Sequence, residues 1–293
     1  MNPSESSSIE VAIQFRPKLM SIAYRMLGSS ADAEDVVQDA YLRLHQATDV
    51  VNAEAWLVRT TTRLCIDRLR ELKHRETYIG PWLPEPVHPR WEGAVTEIAP
   101  LAESLSMAFL LILETLSPSE RATYLLREVF NYEFDEIATL IDKTPANVRQ
   151  LLVRARQRIQ EKKPRFETTQ EEVDAVANQF LAVCRNGNLQ DIEAMLTDDA
   201  ILFSDGGGKV HAAPKPIEGS KRIAKLVSVV FRKLQTIGQL TLTTVNGQPG
   251  AVFTVDGRIY QIFSFTIESG RIQNVFVVLN PDKLSHWPVP SHN

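Results

Sequence analysis

The chain has 293 residues, a formal net charge of −4 and 44% hydrophobic residues. That length allows two or three domains around substantial cores, while the net charge argues at first against nucleic acid as a partner. Two cysteines, Cys65 and Cys184, are too few for a disulfide framework and are expected as packed thiols rather than a disulfide or a metal site.

The opening MNPSESSSIE lacks a basic segment followed by an apolar core, and no uninterrupted apolar run is long enough to span a membrane. A cytoplasmic protein with no membrane association is the expectation. The average charge conceals a segregation: Arg149 to Arg165 holds seven basic residues and one acidic, and Arg59 to Arg75 six and two. Local basic stripes, not whole-chain charge, make an electrostatic footprint for nucleic acid.

From Ile9 to Leu27, Val11, Phe15, Leu19, Ile22 and Met26 keep helical spacing; Pro17 predicts a kink or a late start, and Gly28 ends the helix. A second helix from Ala31 to about Gln46 opens on Asp32, Glu34 and Asp35, negative charge at the positive end of its dipole. Val36, Val37, Ala40, Tyr41 and Leu44 form its buried side, and Asp35, Gln38 and Asp39 its outer face. Carboxylates one turn apart repel, so this face suits a basic partner surface, against the plainer reading of dipole compensation and solvation.

Asn52 caps a third helix, through Trp56, Leu57, Leu64 and Leu69 to an arginine-rich end near Arg75. Thr60, Thr61 and Thr62 are middling helix formers. Beside Arg59, Arg63, Arg68 and Arg70, their hydroxyls make a second nucleic-acid candidate.

Between Glu76 and Pro100 five prolines and two glycines interrupt any period, as in an interdomain linker or functional loop. Trp82, Leu83 and Trp91 are costly to leave in water, so part of this linker is expected to dock on a domain surface. A helix from Leu101 to Leu116 follows, carrying Leu105, Phe109, Ile112 and Leu116.

Ser117, Pro118 and Glu120 then supply a full capping box and first-turn proline for a helix ending near Asn131. A short helix at Phe134 to Ile141 is broken by Asp-Lys-Thr-Pro, with Thr144 and Pro145 starting the last helix, which runs to about Lys163. Val148, Leu152, Ala155 and Ile159 make its single apolar stripe. This is helix-turn-helix spacing, whose second helix lies in a major groove. Asn147, Arg149 and Gln150 are the candidates for base edges, and Arg154, Arg156, Arg158, Lys162 and Lys163 for phosphates.

Taken together, SSADAEDVVQDAYLRLH, AWLVRTTTRLCIDRLR, the proline-rich linker and SPSER…EIATLIDKTPANVRQLLVRARQRI resemble an extracytoplasmic-function sigma factor of the sigma-70 family over roughly residues 9 to 163. The resemblance implies that Asp35, Gln38 and Asp39 contact core RNA polymerase. It implies that Arg59, Thr62, Arg63, Arg68 and Arg70 engage the promoter −10 element. It further implies that Thr144, Asn147, Arg149, Gln150, Arg154 and Arg156 read the −35 element.

After Pro164 the character changes to α+β. Thr168 or Thr169 with Glu171 or Glu172 caps a helix ending at Asn186-Gly187. A short helix near Leu189 to Leu196, a strand Ala200 to Ser204 and a helix capped by Ser220 and running to about Leu234 come next. Alternating runs at Leu240/Leu242, Ala251/Phe253/Val255, Ile259 to Ile267 and Ile272 to Val278 follow, with hairpin turns at Asn246-Gly247 and Asp256-Gly257. An antiparallel meander wrapped on helices resembles the SnoaL-like branch of the NTF2-like fold, a cone around a pocket.

Asp205-Gly206-Gly207-Gly208-Lys209, Asn280-Pro281-Asp282-Lys283-Leu284 and Trp82-Leu83-Pro84-Glu85-Pro86 look like those of the SigJ-type subgroup of such sigma factors. The resemblance implies a regulatory extension that contacts the linker. Consecutive glycines permit close backbone approach, and a proline-stiffened segment loses little entropy on docking. The plain alternative for the glycines is a flexible hairpin tip.

The expected fold is therefore two all-α sigma domains, the second with the helix-turn-helix, followed by an α+β NTF2-like cone. The expected boundaries are 1–76, a linker at 77–100, 101–164 and 165–293. Core polymerase and promoter DNA are the implied partners, with a small-molecule ligand in the cone a further candidate; no anti-sigma partner is legible. No cofactor, metal or catalytic site is expected, although Asp205 and His211 could form a general acid–base pair if the cone were an enzyme. The other reading is a one-component helix-turn-helix regulator with a ligand-sensing cone, which would have no need of the outward face of Asp35, Gln38 and Asp39.

Overall fold

The computed structural model describes residues 3–71, 78–91, 104–161 and 170–288, with the side chains of the first helix described from residue 14 and those of the helix beginning at Gln170 from residue 172. Arg75, Lys162, Lys163 and the caps proposed at Thr168 and Thr169 lie outside the described residues, as do the side chains of Val11 and Glu171. The chain divides into two compact units. One comprises Met1–Glu76, Arg90–Leu105 and Phe109–Lys163; the other comprises Thr77–Pro89, Ser106–Ala108 and Pro164–Asn293. The proline-rich segment is thus divided, its first half folding with the C-terminal unit.

In the helical unit, α1 (Pro3–Leu27), α2 (Ser30–Gln46) and α3 (Ala53–Glu71) pack on one another. Helix α1 continues through Pro17 instead of starting after it. Leu19, Ile22 and Met26 form its buried stripe, and the charged Arg25 is fully buried within it. Arg25 donates from Nε to Ser104 Oγ at 2.9 Å and from Nη1 to the Ser21 hydroxyl and carbonyl. Burial pulls its pKa down to about 10, which leaves it charged at neutral pH.

The predicted Leu101 to Leu116 helix is shorter, α4 spanning Met107–Leu113. Its end tightens into i→i+3 bonds from Glu114, Thr115 and Leu116. Helix α5 (Pro118–Tyr124) starts on the capping box read from the sequence: Ser117 N donates to Glu120 Oε2 at 2.9 Å and Glu120 N to Ser117 Oγ at 3.4 Å. It passes into a π turn at Leu125–Val129 and stops at Asn131, whose φ of 57° is left-handed. Helix α6 (Phe134–Ile141) ends on left-handed Asp142, and α7 (Pro145–Gln160) begins at the Thr144 cap. Val148, Leu151, Leu152, Ala155 and Ile159 are buried on α7; a fully buried leucine or isoleucine contributes about 1.5–3 kcal/mol.

The C-terminal unit contains α8 (Gln170–Asn186), α9 (Leu189–Ala194), α10 (Ser220–Leu234) and a six-stranded sheet of β1 (Leu196–Asp205), β2 (Ile217–Glu218), β3 (Gln239–Val245), β4 (Gln248–Val255), β5 (Arg258–Glu268) and β6 (Arg271–Val278). The strand order is β2-β1-β6-β5-β4-β3. The predicted meander holds for β3 to β6, but β1 pairs parallel to β6, so the sheet is mixed. Strand β1 is also longer than the Ala200 to Ser204 segment, because its pairing with β6 extends from Leu196 to Asp205 around an irregularity.

The turns at Asn246-Gly247 and Asp256-Gly257 have positive φ at both central residues, the hand that matches strand twist. A third such turn, Ser269-Gly270, joins β5 to β6. Helices α8 and α10 pack on the sheet through Phe180, Phe231, Phe263 and Phe265, the α+β arrangement expected of this half; the N-cap of α10 is Gly219, with no side-chain cap bond, and not the expected Ser220.

Candidate nucleic-acid interface and linker site

Helix α2 is capped by Ser29, whose Oγ accepts from Asp32 N at 3.2 Å. With Ala33, Val36, Val37 and Ala40 buried, the 3.6-residue period turns the opposite face outward. Asp35 and Gln38 are exposed there. Asp39 is half-exposed and pairs with Arg43 one turn later at 2.9 Å. The three residues form one face, as i, i+3 and i+4 positions must.

Helix α3 departs from expectation. Thr61 and Thr62 are fully buried, and their hydroxyls have no hydrogen-bond partner among the described residues. Thr62 therefore faces the core alongside Val58 and Cys65 and is not available to DNA in this structure. The sequence offered its hydroxyl as a surface group, but position 62 falls on the buried stripe of the helix.

Arg63 Nε donates to the Leu140 carbonyl on α6 at 3.1 Å, and its guanidinium lies 3.8 Å from Asp142. Arg68 donates to Asp32 at 2.8 Å, and the hydrogen bond to that carboxylate raises its pKa. Arg70 is exposed and pairs with Asp67 at 2.8 Å. Arg59 is exposed.

The early residues of α7 match the groove-reading pattern more closely. Thr144 Oγ1 is used as the cap, accepting from Asn147 N at 3.3 Å. Asn147, Arg149, Gln150 and Arg154 are exposed. Arg149 lies over the Phe134 ring at 5.1 Å to its centroid, a stacking that holds the guanidinium at the front of the helix.

Two basic residues further along are engaged: Arg156 with Glu128 and Arg158 with Glu120, both at 2.7 Å. Glu120 is nearly buried, so the carboxylate that caps α5 also anchors α7. Arg158, proposed as a phosphate contact, is exposed as well as paired with Glu120.

The linker segment builds a second site. Asp205, at the end of β1, is fully buried. Its Oδ1 accepts from Tyr78 Oη at 2.5 Å and Gly207 N at 3.0 Å; its Oδ2 accepts from Leu83 N at 2.9 Å and Lys283 Nζ at 2.6 Å. Lys283 also donates to the Leu83 carbonyl and stands 4.3 Å from the Trp82 ring centroid. Asn280 Nδ2 donates to Tyr78 Oη at 3.0 Å, and Lys209 pairs with Asp282 at 2.6 Å.

Leu83, Pro84, Glu85, Pro86 and Val87 are buried and Trp82 is half-buried. The glycines of the Asp205 to Lys209 run make close approaches: a Cβ on Gly207 would strike the Asn280 side chain, and one on Gly208 the Ile79 side chain. Gly207 and Gly208 also have φ of 59° and 71°, so the run is a packed turn and not a loose hairpin tip.

The grip extends to residues that sequence reading missed. Val87 exchanges two hydrogen bonds with buried Asn246, its N donating to the Asn246 side-chain Oδ1 at 2.9 Å and its carbonyl accepting from Asn246 N at 3.1 Å. His88 meets Trp287 edge-to-face at 5.3 Å. Asn246 was legible only as a turn residue, and Tyr78 and Trp287 carried no local signal. Trp91, by contrast, belongs to the helical unit and packs on Tyr24 at 4.9 Å.

Asp205 and His211 do not form an acid–base pair: His211 lines the apolar cavity of the cone, whereas Asp205 is not among the lining residues and is taken up by Tyr78, Leu83 and Lys283. Cys65 and Cys184 are buried free thiols; burial raises the pKa of both, Cys184 to about 12, so they are un-ionised at neutral pH. Among the described residues no group of three or more His, Cys, Asp or Glu side chains could hold a metal, and no helix is long and apolar enough to cross a membrane.

Comparison with known proteins agrees with these features. The family pattern Sigma-70 region 2 matches residues 12–75, and Sigma-70, region 4 matches residues 106–159. The ECF RNA polymerase sigma factor SigJ of Mycobacterium tuberculosis is 31% identical over 287 residues, covering 94% of this chain and 92% of the relative. SigG of the same organism is 32% identical over 174 residues, 51% of this chain and 47% of that relative. The crystal structure of Mycobacterium tuberculosis SigJ superposes with a TM-score of 0.75 over 94% of this chain and 98% of its own. With its region 2 and region 4 helices in order, its α+β C-terminal unit and a relative of this identity along nearly its whole length, the chain belongs to the extracytoplasmic-function family of RNA polymerase sigma factors.

Proposed function

We propose that this sigma factor binds core RNA polymerase through Asp35, Gln38 and Asp39, engages −10 DNA with Arg59, Arg63, Arg68 and Arg70, and reads −35 DNA with Asn147, Arg149 and Gln150. The observation that carries the reading is α7: an apolar stripe fully committed to the core, with Asn147, Arg149 and Gln150 exposed on its first turns. Work with polymerase and promoter places the protein in the cytoplasm.

The two DNA elements are named for positions about 25 base pairs apart, or about 85 Å at 3.4 Å per base pair. Here α3 and α6 touch within hydrogen-bond distance, through Arg63 and the Leu140 carbonyl. The α3–α6 contact must therefore open for one molecule to occupy both elements.

The C-terminal unit is proposed as the regulator, acting through the linker segment gripped by Asp205, Asn280 and Lys283, and its apolar cavity as a small-molecule site. Run-off transcription with purified core polymerase and genomic fragments tests the main reading. The wild-type chain is expected to start specific transcripts. Asp39→Lys is expected to lose core binding while keeping native helicity, because an exposed i,i+4 pair contributes only about 0.3–0.5 kcal/mol to stability. No specific transcript from a chain that still footprints DNA without polymerase would favour an operator-binding regulator.

A further inference from the structure

The cone encloses a cavity of about 370 Å³ between α8, α10 and the inner face of the sheet. Its wall is apolar; Phe180, Val227, Phe231, Phe263 and Phe265 are representative, and among the described residues no Asp, Glu, Lys or Arg contributes to it. Three polar side chains reach it. Ser204 Oγ is occupied, accepting from Ala213 N at 3.0 Å. His211 is exposed. The third is Gln261, on β5 two residues before Phe263 and four before Phe265, which alternation places on the same inward face.

Gln261 is 2% exposed, and its Nε2 has no hydrogen-bond partner among the described residues. A buried donor without an acceptor is a standing cost to the fold that an apolar residue of similar size would avoid. A wall built mainly of apolar side chains gives no packing reason for an amide. Such a donor, held in a room of this size, is satisfied by an acceptor that enters the cavity.

We propose that the cavity binds an uncharged, largely apolar small molecule carrying a carbonyl or similar acceptor oxygen, which the Gln261 amide reads. This rests on the proposed role of the cone as a ligand site and adds the ligand's chemical class. Charged molecules are disfavoured because no Asp, Glu, Lys or Arg among the described residues lines the wall and burying an isolated charge is prohibitive. Purely hydrocarbon molecules fill the cavity but leave the amide unsatisfied.

The test uses the full chain and equilibrium dialysis with three probes of matched shape: 2-acetonaphthalene, 2-isopropenylnaphthalene, in which C=CH₂ replaces C=O, and 2-naphthoate. The ketone is expected to bind about 3- to 10-fold more tightly than the alkene, the range of one net hydrogen bond, and the carboxylate most weakly. In Gln261→Leu the order of ketone and alkene is expected to reverse. The wild-type ranking stands without the variant if that substitution impairs folding.

Alkene binding at least as tight as ketone binding in the wild type overturns the role of Gln261 while leaving the cavity a ligand site. Naphthoate binding as tight as the ketone overturns the uncharged class. No detectable binding of any probe overturns both this inference and the ligand-site reading on which it rests.

Discussion

The two units place their chemistry differently. In the helical unit the candidate contacts of α2 and α7 lie on the faces that the helical period leaves outside. In the C-terminal unit the decisive groups are inside: Asp205 is fully buried with four donors around its carboxylate, and Gln261 lies within an apolar wall. A surface site on a helix is specified locally, since residues three and four apart share a face. An interior site on a sheet is assembled from segments far apart in sequence, as Tyr78, Leu83, Asp205 and Lys283 are. The first kind tolerates substitution and loses function; the second loses stability as well.

The comparison is broken most severely at Asp205. Asp205→Ala leaves Lys283 without its anion and the Leu83 amide without its acceptor, and removing one partner of a buried ion pair costs about 3–5 kcal/mol. Chemical denaturation of the full chain should show that loss, and Trp82 fluorescence should show the aromatic ring leaving Lys283. A variant with wild-type stability would mean that the Asp205 cluster does not hold the linker.

Gly207→Ala forces a non-glycine residue into left-handed backbone and pushes on Asn280. About 1–3 kcal/mol is expected from the backbone strain, with the same Trp82 response in weaker form. A neutral effect in denaturant would restore the view of the glycine run as a loose tip.

On the helical side, Arg149→Ala should leave the midpoint of unfolding nearly unchanged but reduce discrimination between matched and scrambled −35 sites by about 1–3 kcal/mol, measured with the polymerase holoenzyme. Equal loss on both sites would make Arg149 a phosphate contact. The smallest stability effect is expected at Arg70: its pair with Asp67 is exposed on both sides, so Arg70→Ala should stay within about 0.5 kcal/mol of wild type. Promoter affinity should nevertheless become less steep in salt by about one unit of slope.

Much of the helical unit was legible because its signals are local. The capping box at Ser117 and Glu120, the stop at Asn131 and the Thr144-Pro145 start all correspond to observed hydrogen bonds or dihedrals. Thr62 is buried although a hydroxyl beside arginines suggests a surface, because its position on the helix decides its exposure. Arg25 gave no warning: a charged residue in an apolar stripe is identified only when Ser21 and Ser104 are brought to it. In the sheet the two asparagine- or aspartate-glycine turns were visible, but Ser269-Gly270 was not singled out. The parallel β1–β6 pairing spans some seventy residues and leaves no local trace.

The sequence by itself therefore determined the order of the helices, the caps at Asn52, Ser117 and Thr144, the outward face of α2 and the exposed face of α7, because helix period and end chemistry are properties of neighbouring residues. It also carried the Trp82, Asp205 and Asn280 segments as short pieces without saying how they meet. Only the tertiary structure decided that Asp205 serves the linker and not His211, that Asn246 holds Val87, that Arg63 joins α3 to α6, and that Gln261 faces an apolar cavity. Each of these depends on strands or helices brought together over long sequence separations, where burial and hydrogen-bond satisfaction, not local spacing, select the partner.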